Sequence, residues 1–246
     1  MPREARKTSM SGTYHILLQG INQQLIFEDD EDCSKFLEIL DGCKETSGLV
    51  LYAYCLMGSH VHLLMKTGYE SLEQTFKRVG TKYVQWFNRK HGRTGPLFQD
   101  RFKGEPVEYT DSFLAAIRYI HQDPVKAQLA GSLDAYKWSS YKEYAKKRVL
   151  CDTSFAIKMM RIRERLIAFH NEPNSDSCLD MQPPRISDKA AVEIIKTLLN
   201  CDAATDIRQL DKQERKAALV SLKQKGLSIR QISRLVGIGK KIVENA

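Results

Sequence analysis

The chain has 246 residues, enough to bury one sizeable core and a second, smaller one. With 42% hydrophobic and 28% charged residues it is neither wholly disordered nor fibrous, and no apolar run approaches the roughly 20 residues that cross a bilayer. A formal net charge of +8 and a pI near 9.1 favour a polyanionic partner such as nucleic acid.

In chain order, "TYHILLQG" (13–20) reads as a strand, and residues 29–48 as a helix with Phe36, Leu37, Ile39 and Leu40 on one stripe and Gly48 as its stop. "LVLYAYCLM" (49–57) is rich in β-formers and too short for a typical helix. Gly58 and Ser59 then turn the chain into "HVHLLMK", a strand placed to pair antiparallel with the one before. Residues 71–92 form a helix opened by Ser71 and closed by Gly92. Residues 95–109 are a loop leading into a strand. Residues 110–124 are a helix whose apolar face carries Phe113, Leu114, Ile117 and Ile120, ended near Pro124. After residue 150 the pattern turns helical, and residues 171–189, with three prolines, read as a linker containing a domain boundary. This order predicts an α+β domain, an antiparallel sheet with packed helices, followed by a small all-α domain.

The six cysteines are far apart with no CxxC pair, so neither a zinc ribbon nor a disulfide framework is expected. The N-terminal "MPREARKTSM" lacks the apolar core of a signal peptide, which points to reduced thiols in the cytoplasm and no membrane partner.

Two of the six histidines, His60 and His62, stand at i and i+2 on a predicted strand. Side chains at that spacing share a face, so the two imidazoles can chelate one divalent ion while Val61, Leu63 and Met65 face the other way. The alternative is a pair of polar strand residues facing solvent. On the helix over 110–124, Tyr119 lies off the apolar stripe with Ser112, Ala115, Ala116 and Asp123, and the small neighbours one turn earlier leave the phenol beside open space. A phenol can form a covalent link to a phosphodiester, and a hard divalent ion can offset charge building on the phosphate oxygens. Rival ligands are His15, on a strand that can approach the site, His91, and His121, which points about 200° away from Tyr119 around the helix.

"GSHVHLLMK" resembles the HUH motif (His, bulky hydrophobe, His) of single-tyrosine DNA transposases and replication-initiator nucleases. "YHILLQGINQQLIF", "AYCLMGSHVHLLM", "GPLFQDRFKG" and "AIRYIHQDPVKAQL" follow in the order seen in REP-associated tyrosine transposases and their insertion-sequence relatives, over roughly residues 10–145. The resemblance implies a ferredoxin-like HUH endonuclease fold, with His60 and His62 as metal ligands for Mg²⁺ or Mn²⁺. It implies Tyr119 as the nucleophile that forms a 5′-phosphotyrosine, and Asp123 in the place of the third ligand. Relatives usually carry "NPV" where this chain has "DPV", and often Arg where it has Gln19. The implied partner is single-stranded DNA with hairpin elements.

Residues 71–105 carry eight basic and three acidic residues, a local net of +5, interleaved with aromatics. Lys82, Arg89, Arg93, Arg101 and Lys103 are candidate DNA contacts, whereas Phe76, Tyr83 and Phe87 have helical spacing and read as core. Residues 212–246 hold nine basic residues and two glutamates and resemble a helix-turn-helix, with Ser228 as an N-cap. Only about seven residues remain for the third helix. Arg230, Lys240 and Lys241 are candidate contacts to duplex DNA.

The expected organisation is a transposase-like domain at 1–150, a helix and linker at 151–186, and a helical DNA-binding domain at 187–246. The expected activity is a metal-dependent single-strand DNA transposase. The competing expectation is a DNA-binding regulator that keeps the fold and makes little use of the chemistry. The sequence leaves monomer and homodimer both open.

Overall fold

Four strands pair antiparallel in one sheet: β1 (Thr13–Gln19), β2 (Val50–Met57), β3 (His60–Lys66) and β4 (Lys103–Pro106). Helix α1 (Asp30–Ser47) joins β1 to β2 and helix α2 (Leu72–Lys90) joins β3 to β4. The sheet order β2-β3-β1-β4 is therefore that of the ferredoxin-like βαββαβ fold. This computed structural model describes residues 7–147, 149–173, 176, 178–179, 186, 188–199, 201 and 203–246. The chain divides into two compact units, Met1–Gln182 and Pro183–Ala246.

Local chemistry sets the element ends. The Asp29 carboxylate accepts the N–H groups of Glu31 and Asp32 and caps α1, which stops at Gly48 in the left-handed region, φ 68°. Ser71 and Gln74 close a capping box on α2. The β2–β3 turn at Gly58 and Ser59 is braced from outside: Gly20 N–H donates to the Ser59 carbonyl (2.8 Å) and Ile26 N–H to that of Gly58 (2.7 Å).

The two faces of the sheet carry different cargo. Val61, Leu63 and Met65 join Ile16 and Leu18 under α1 and α2, where Phe76, Tyr83 and Phe87 are core, as their spacing predicts. Burying each such side chain is worth about 1.5–3 kcal/mol. Leu64 lies on the opposite face, against Phe113, Ile117 and Ile120 of helix α3 (Thr110–Lys126). Helix α3 does not end at Pro124, as the sequence suggests, but two residues later. A proline this near a C-terminus removes one N–H donor only, and Ala127 N–H still donates to the Asp123 carbonyl (2.8 Å). The chain breaks away at Gln128, φ 59°.

Helices α4 (Tyr141–Ala145), α5 (Ser154–Met160) and α6 (Arg163–Asn171) complete this face, with Tyr144, Ala156 and Leu166 in the α3 core. Arg118 of α3 donates two hydrogen bonds to Asp176 (2.7 and 2.9 Å) and lies over the Phe169 ring of α6.

The second unit contains α7 (Asp188–Leu199), a 3₁₀ turn at 204–208, α8 (Lys212–Gln224), α9 (Ile229–Val236) and α10 (Lys240–Glu244). Ile195, Ile207, Leu222, Ile232, Val236 and Val243 form its core. Ser228 caps α9 by accepting from Gln231 N–H (3.2 Å), and α10 is five residues long, in line with the short third helix expected. All six cysteines are free thiols. Among the described residues, no helix is long and apolar enough to cross a membrane.

Candidate active site

Strand pairing builds the site's floor. Gln19 lies opposite His60, Leu17 opposite His62 and His15 opposite Leu64, and directly paired residues share a face. His60 and His62 therefore stand with His15 on the α3 side, buried to 4% and 0% exposure. They do not face solvent, because α3 covers them. Helix α3 supplies the remaining groups, Asp123 and, one turn earlier, Tyr119.

The donors converge. His60 Nε2 lies 3.1 Å from Asp123 Oδ2, and His62 Nε2 lies 3.6 Å from the same oxygen. One ligand atom from each of the three residues falls within 4.8 Å of the others, so the group can hold a metal ion. Two donors each about 2.1 Å from an ion at right angles sit about 3 Å apart, close to these separations. His62 Nε2 is buried with no hydrogen-bond partner among the described residues, a cost a protein rarely leaves unmet. Burial, reinforced by the neighbouring imidazoles of His15 and His60, pushes the His62 pKa well down. The ring is thus held neutral, the form that offers a lone pair to a metal.

His15 lies behind His62, outside the His60–His62–Asp123 group. Its Nε2 lies 2.9 Å from His62 Nδ1. If His62 Nδ1–H donates to His15, the His62 Nε2 lone pair is left pointing towards Asp123, the arrangement by which a second imidazole fixes a ligand's tautomer. The sequence offered the signal, a histidine on β1, but not the register that puts it there.

The Tyr119 ring centre lies 5.7 Å from that of His62 and 5.9 Å from that of His15. The expectation of open space beside the phenol fails: Tyr119 is 7% exposed, and Ala116 below it is itself core. Lys126 Nζ stands 5.3 Å from the Tyr119 ring centre. It is seven residues on, two helical turns along the same face, a spacing hidden by reading Pro124 as a stop.

The other histidines lie elsewhere. His121 turns away from the site and bonds His170 and Ser140, while His91 bonds the Asp32 carboxylate at the start of α1. The predicted DNA contacts separate by face. Lys103 pairs with Leu17 across β1–β4 and so shares the site face, with exposed Arg101 just before it. Lys82 and Arg89 are exposed on α2, whose core lies beneath the other face. Arg93 donates to the Gln24 side chain (2.7 Å) and lies over the Phe87 ring. Arg230, Lys240 and Lys241 are exposed in the second unit.

Residues 8–123 match the family model for IS200-like transposases. Among solved structures, the chain is similar to a REP-associated tyrosine transposase bound to a REP hairpin. The two are 17% identical over 61% of this chain and 89% of that one, with a TM-score of 0.49. A candidate transposase from Deinococcus radiodurans R1 is 19% identical over 51% of this chain and 97% of that one, with a TM-score of 0.34. No curated protein matches the chain. The family match spans His60, His62, Tyr119 and Asp123, so the N-terminal unit of this chain is similar to the IS200-like transposases over the residues that build the site.

Proposed function

We propose that the chain is a metal-dependent, single-tyrosine DNA strand transferase that cuts single-stranded DNA beside hairpin or palindromic elements. The observation that carries this reading is the convergence of His60, His62 and Asp123 next to the Tyr119 ring. His60 Nε2, His62 Nε2 and an Asp123 oxygen would hold the ion. The unpartnered His62 nitrogen supports that fit, and the mixed imidazole–carboxylate set suits Mn²⁺ better than Mg²⁺, which prefers oxygen alone. When bound, the ion would polarise the scissile phosphate and offset charge on its oxygens.

Tyr119 Oη would attack phosphorus. The P–Oη bond forms as the P–O3′ bond breaks, the phenol gives up its proton and the departing 3′ oxygen gains one, leaving a 5′-phosphotyrosine and a free 3′-hydroxyl. The free phenol pKa is near 10, so the Lys126 ammonium beside the ring would favour the phenolate. His15 would keep His62 in its ligating tautomer. Arg101 and Lys103, on or beside the site face, would contact the strand being cut, and Arg93, Lys82 and Arg89 would contact flanking phosphates.

On this reading residues 1–150 carry the chemistry. Residues 187–246 form a helix-turn-helix-like domain that adds duplex contacts through Arg230, Lys240 and Lys241. The test is incubation of the protein with hairpin-bearing single-stranded oligonucleotides and Mn²⁺. A covalent adduct on a denaturing gel, lost in Tyr119→Phe and in chelator, is the expected result. Oligonucleotide binding with no adduct at any metal concentration would instead mark a regulator that keeps the fold without the chemistry.

A further inference from the structure

A groove of about 700 Å³ opens in the second unit, flanked by α8 and α10. On α8, Lys212, Arg215 and Lys216 fall at i, i+3 and i+4, so they form one stripe along its wall. Lys241 and Ile242 of α10 and Arg208 from the 3₁₀ turn also line it, and among the described residues no aspartate or glutamate side chain does. Glu214 and Glu244, the acidic residues of the two helices, lie outside the lining. Arg208 is set in place: its Nε–H donates to the Val236 carbonyl (2.7 Å), and any side chain at position 237 would collide with its guanidinium, a space left by Gly237.

We propose that this groove binds the phosphate backbone of duplex DNA. Five cationic residues lining one channel, with no acidic side chain among its described lining residues, are complementary to a line of phosphates. Residues 183–246 contain no Phe, Tyr or Trp. The groove therefore offers no ring on which unpaired bases could stack, which sets it apart from a single-strand channel. It overlaps the contact surface that the helix-turn-helix resemblance implies at Lys241 but is not that surface, because Arg230 and Lys240 do not line it. The identification of the polyanion as DNA rests on the function proposed above; the groove itself does not.

The test uses the full chain and fluorescence anisotropy on a short duplex, with salt varied from about 50 to about 200 mM, a range over which backbone binding weakens steeply. The triple variant Lys212→Glu, Arg215→Glu, Lys216→Glu is expected to lose about tenfold or more in affinity, and its log–log salt slope to flatten by about 2–3, near 0.9 per lost phosphate contact. The pair Arg230→Glu, Lys240→Glu is expected to lose less. A triple variant that binds duplex like the parent, a pair that loses more than the triple, or tighter binding to duplex RNA or single-stranded DNA through the same residues would overturn the proposal. Circular dichroism and the milder Lys212→Gln, Arg215→Gln, Lys216→Gln variant separate lost binding from lost folding. The Tyr119 adduct assay runs in parallel. An adduct without groove-dependent duplex binding sinks the groove alone, whereas groove-dependent duplex binding without an adduct sinks the strand-transferase reading alone.

Discussion

Two buried histidine clusters flank helix α3, and they differ in one nitrogen atom. On one side His170 Nδ1–H donates to the Leu166 carbonyl (2.6 Å), leaving its Nε2 to accept from His121 Nδ1–H (2.9 Å), and His121 Nε2 faces the Ser140 hydroxyl (2.8 Å). All four ring nitrogens are accounted for. On the other side His62 is just as buried and also bonds a second imidazole, yet among the described residues its Nε2 has no hydrogen-bond partner and faces a carboxylate 3.6 Å away. Burial and imidazole pairing thus do not distinguish a core histidine from a candidate ligand; the unmet lone pair does.

The sharpest way to break this comparison is metal binding. His62→Ala is expected to abolish Mn²⁺ binding up to millimolar metal by titration calorimetry, while His121→Ala leaves the affinity within about twofold, since only one of the two belongs to the proposed ligand set. Equal losses would mean that the unmet nitrogen carries no information.

Acid tests the His121–His170 cluster next. Burial holds His121 well below the usual imidazole range and His170 down to about 4, the Leu166 carbonyl opposing the shift and Arg118 adding to it. Both folded-state pKa values lie below that of the unfolded chain. Stability is therefore flat above about pH 6.5 and falls as pH drops toward 4, where the unfolded chain takes up protons that the folded one refuses. The His170 share is about 3 kcal/mol by pH 4, to be read from urea unfolding across that range. His170→Gln should flatten the acid limb; an unchanged pH profile would contradict the buried neutral pair.

Removing His15 tests the tautomer argument. His15→Ala should weaken Mn²⁺ binding about 10–100-fold, and His15→Gln should restore part of it, because an amide oxygen can accept from His62 Nδ1–H. No rescue, with equal loss of thermal stability in both variants, would reduce His15 to packing. The smallest effect is expected for Lys126→Ala. A cation beside an aromatic ring at an exposed site contributes about 0.5–1 kcal/mol, a two- to fivefold slower adduct rate, with Lys126→Arg closer to the parent.

What could be read from the sequence were features with a fixed local period. The alternation in "HVHLLMK" fixes which side chains of β3 share a face, and four-residue spacing puts Asp123 one turn beyond Tyr119. The caps at Ser71 and Ser228 announced α2 and α9. What could not be read depended on register and layering. His15 meets His62 only because β1 pairs with β3 in one register, and a shift by one residue would turn it to the other face. The enclosure of Tyr119 comes from the strands it packs on, which helix spacing cannot express. The charge density around 71–105 is real, but the sheet divides it, with Lys103 on the site face and Lys82 and Arg89 on the helix beneath the other.

One consequence follows from which element carries which group. The proposed nucleophile and one proposed cation donor ride a single helix, four residues apart, while the other two donors belong to an interior strand of the sheet. A phenol only 7% exposed must be uncovered before a phosphodiester can reach it. A tilt of α3 that uncovered the phenol would also move Asp123 relative to His60 and His62, and it would strain the hydrogen bonds that Arg118 and His121 make to Asp176 and His170. On the proposed reading, admission of substrate and retention of the ion would be mechanically geared together: the donor set is complete with the helix seated, and unseating it would loosen the hold on the ion.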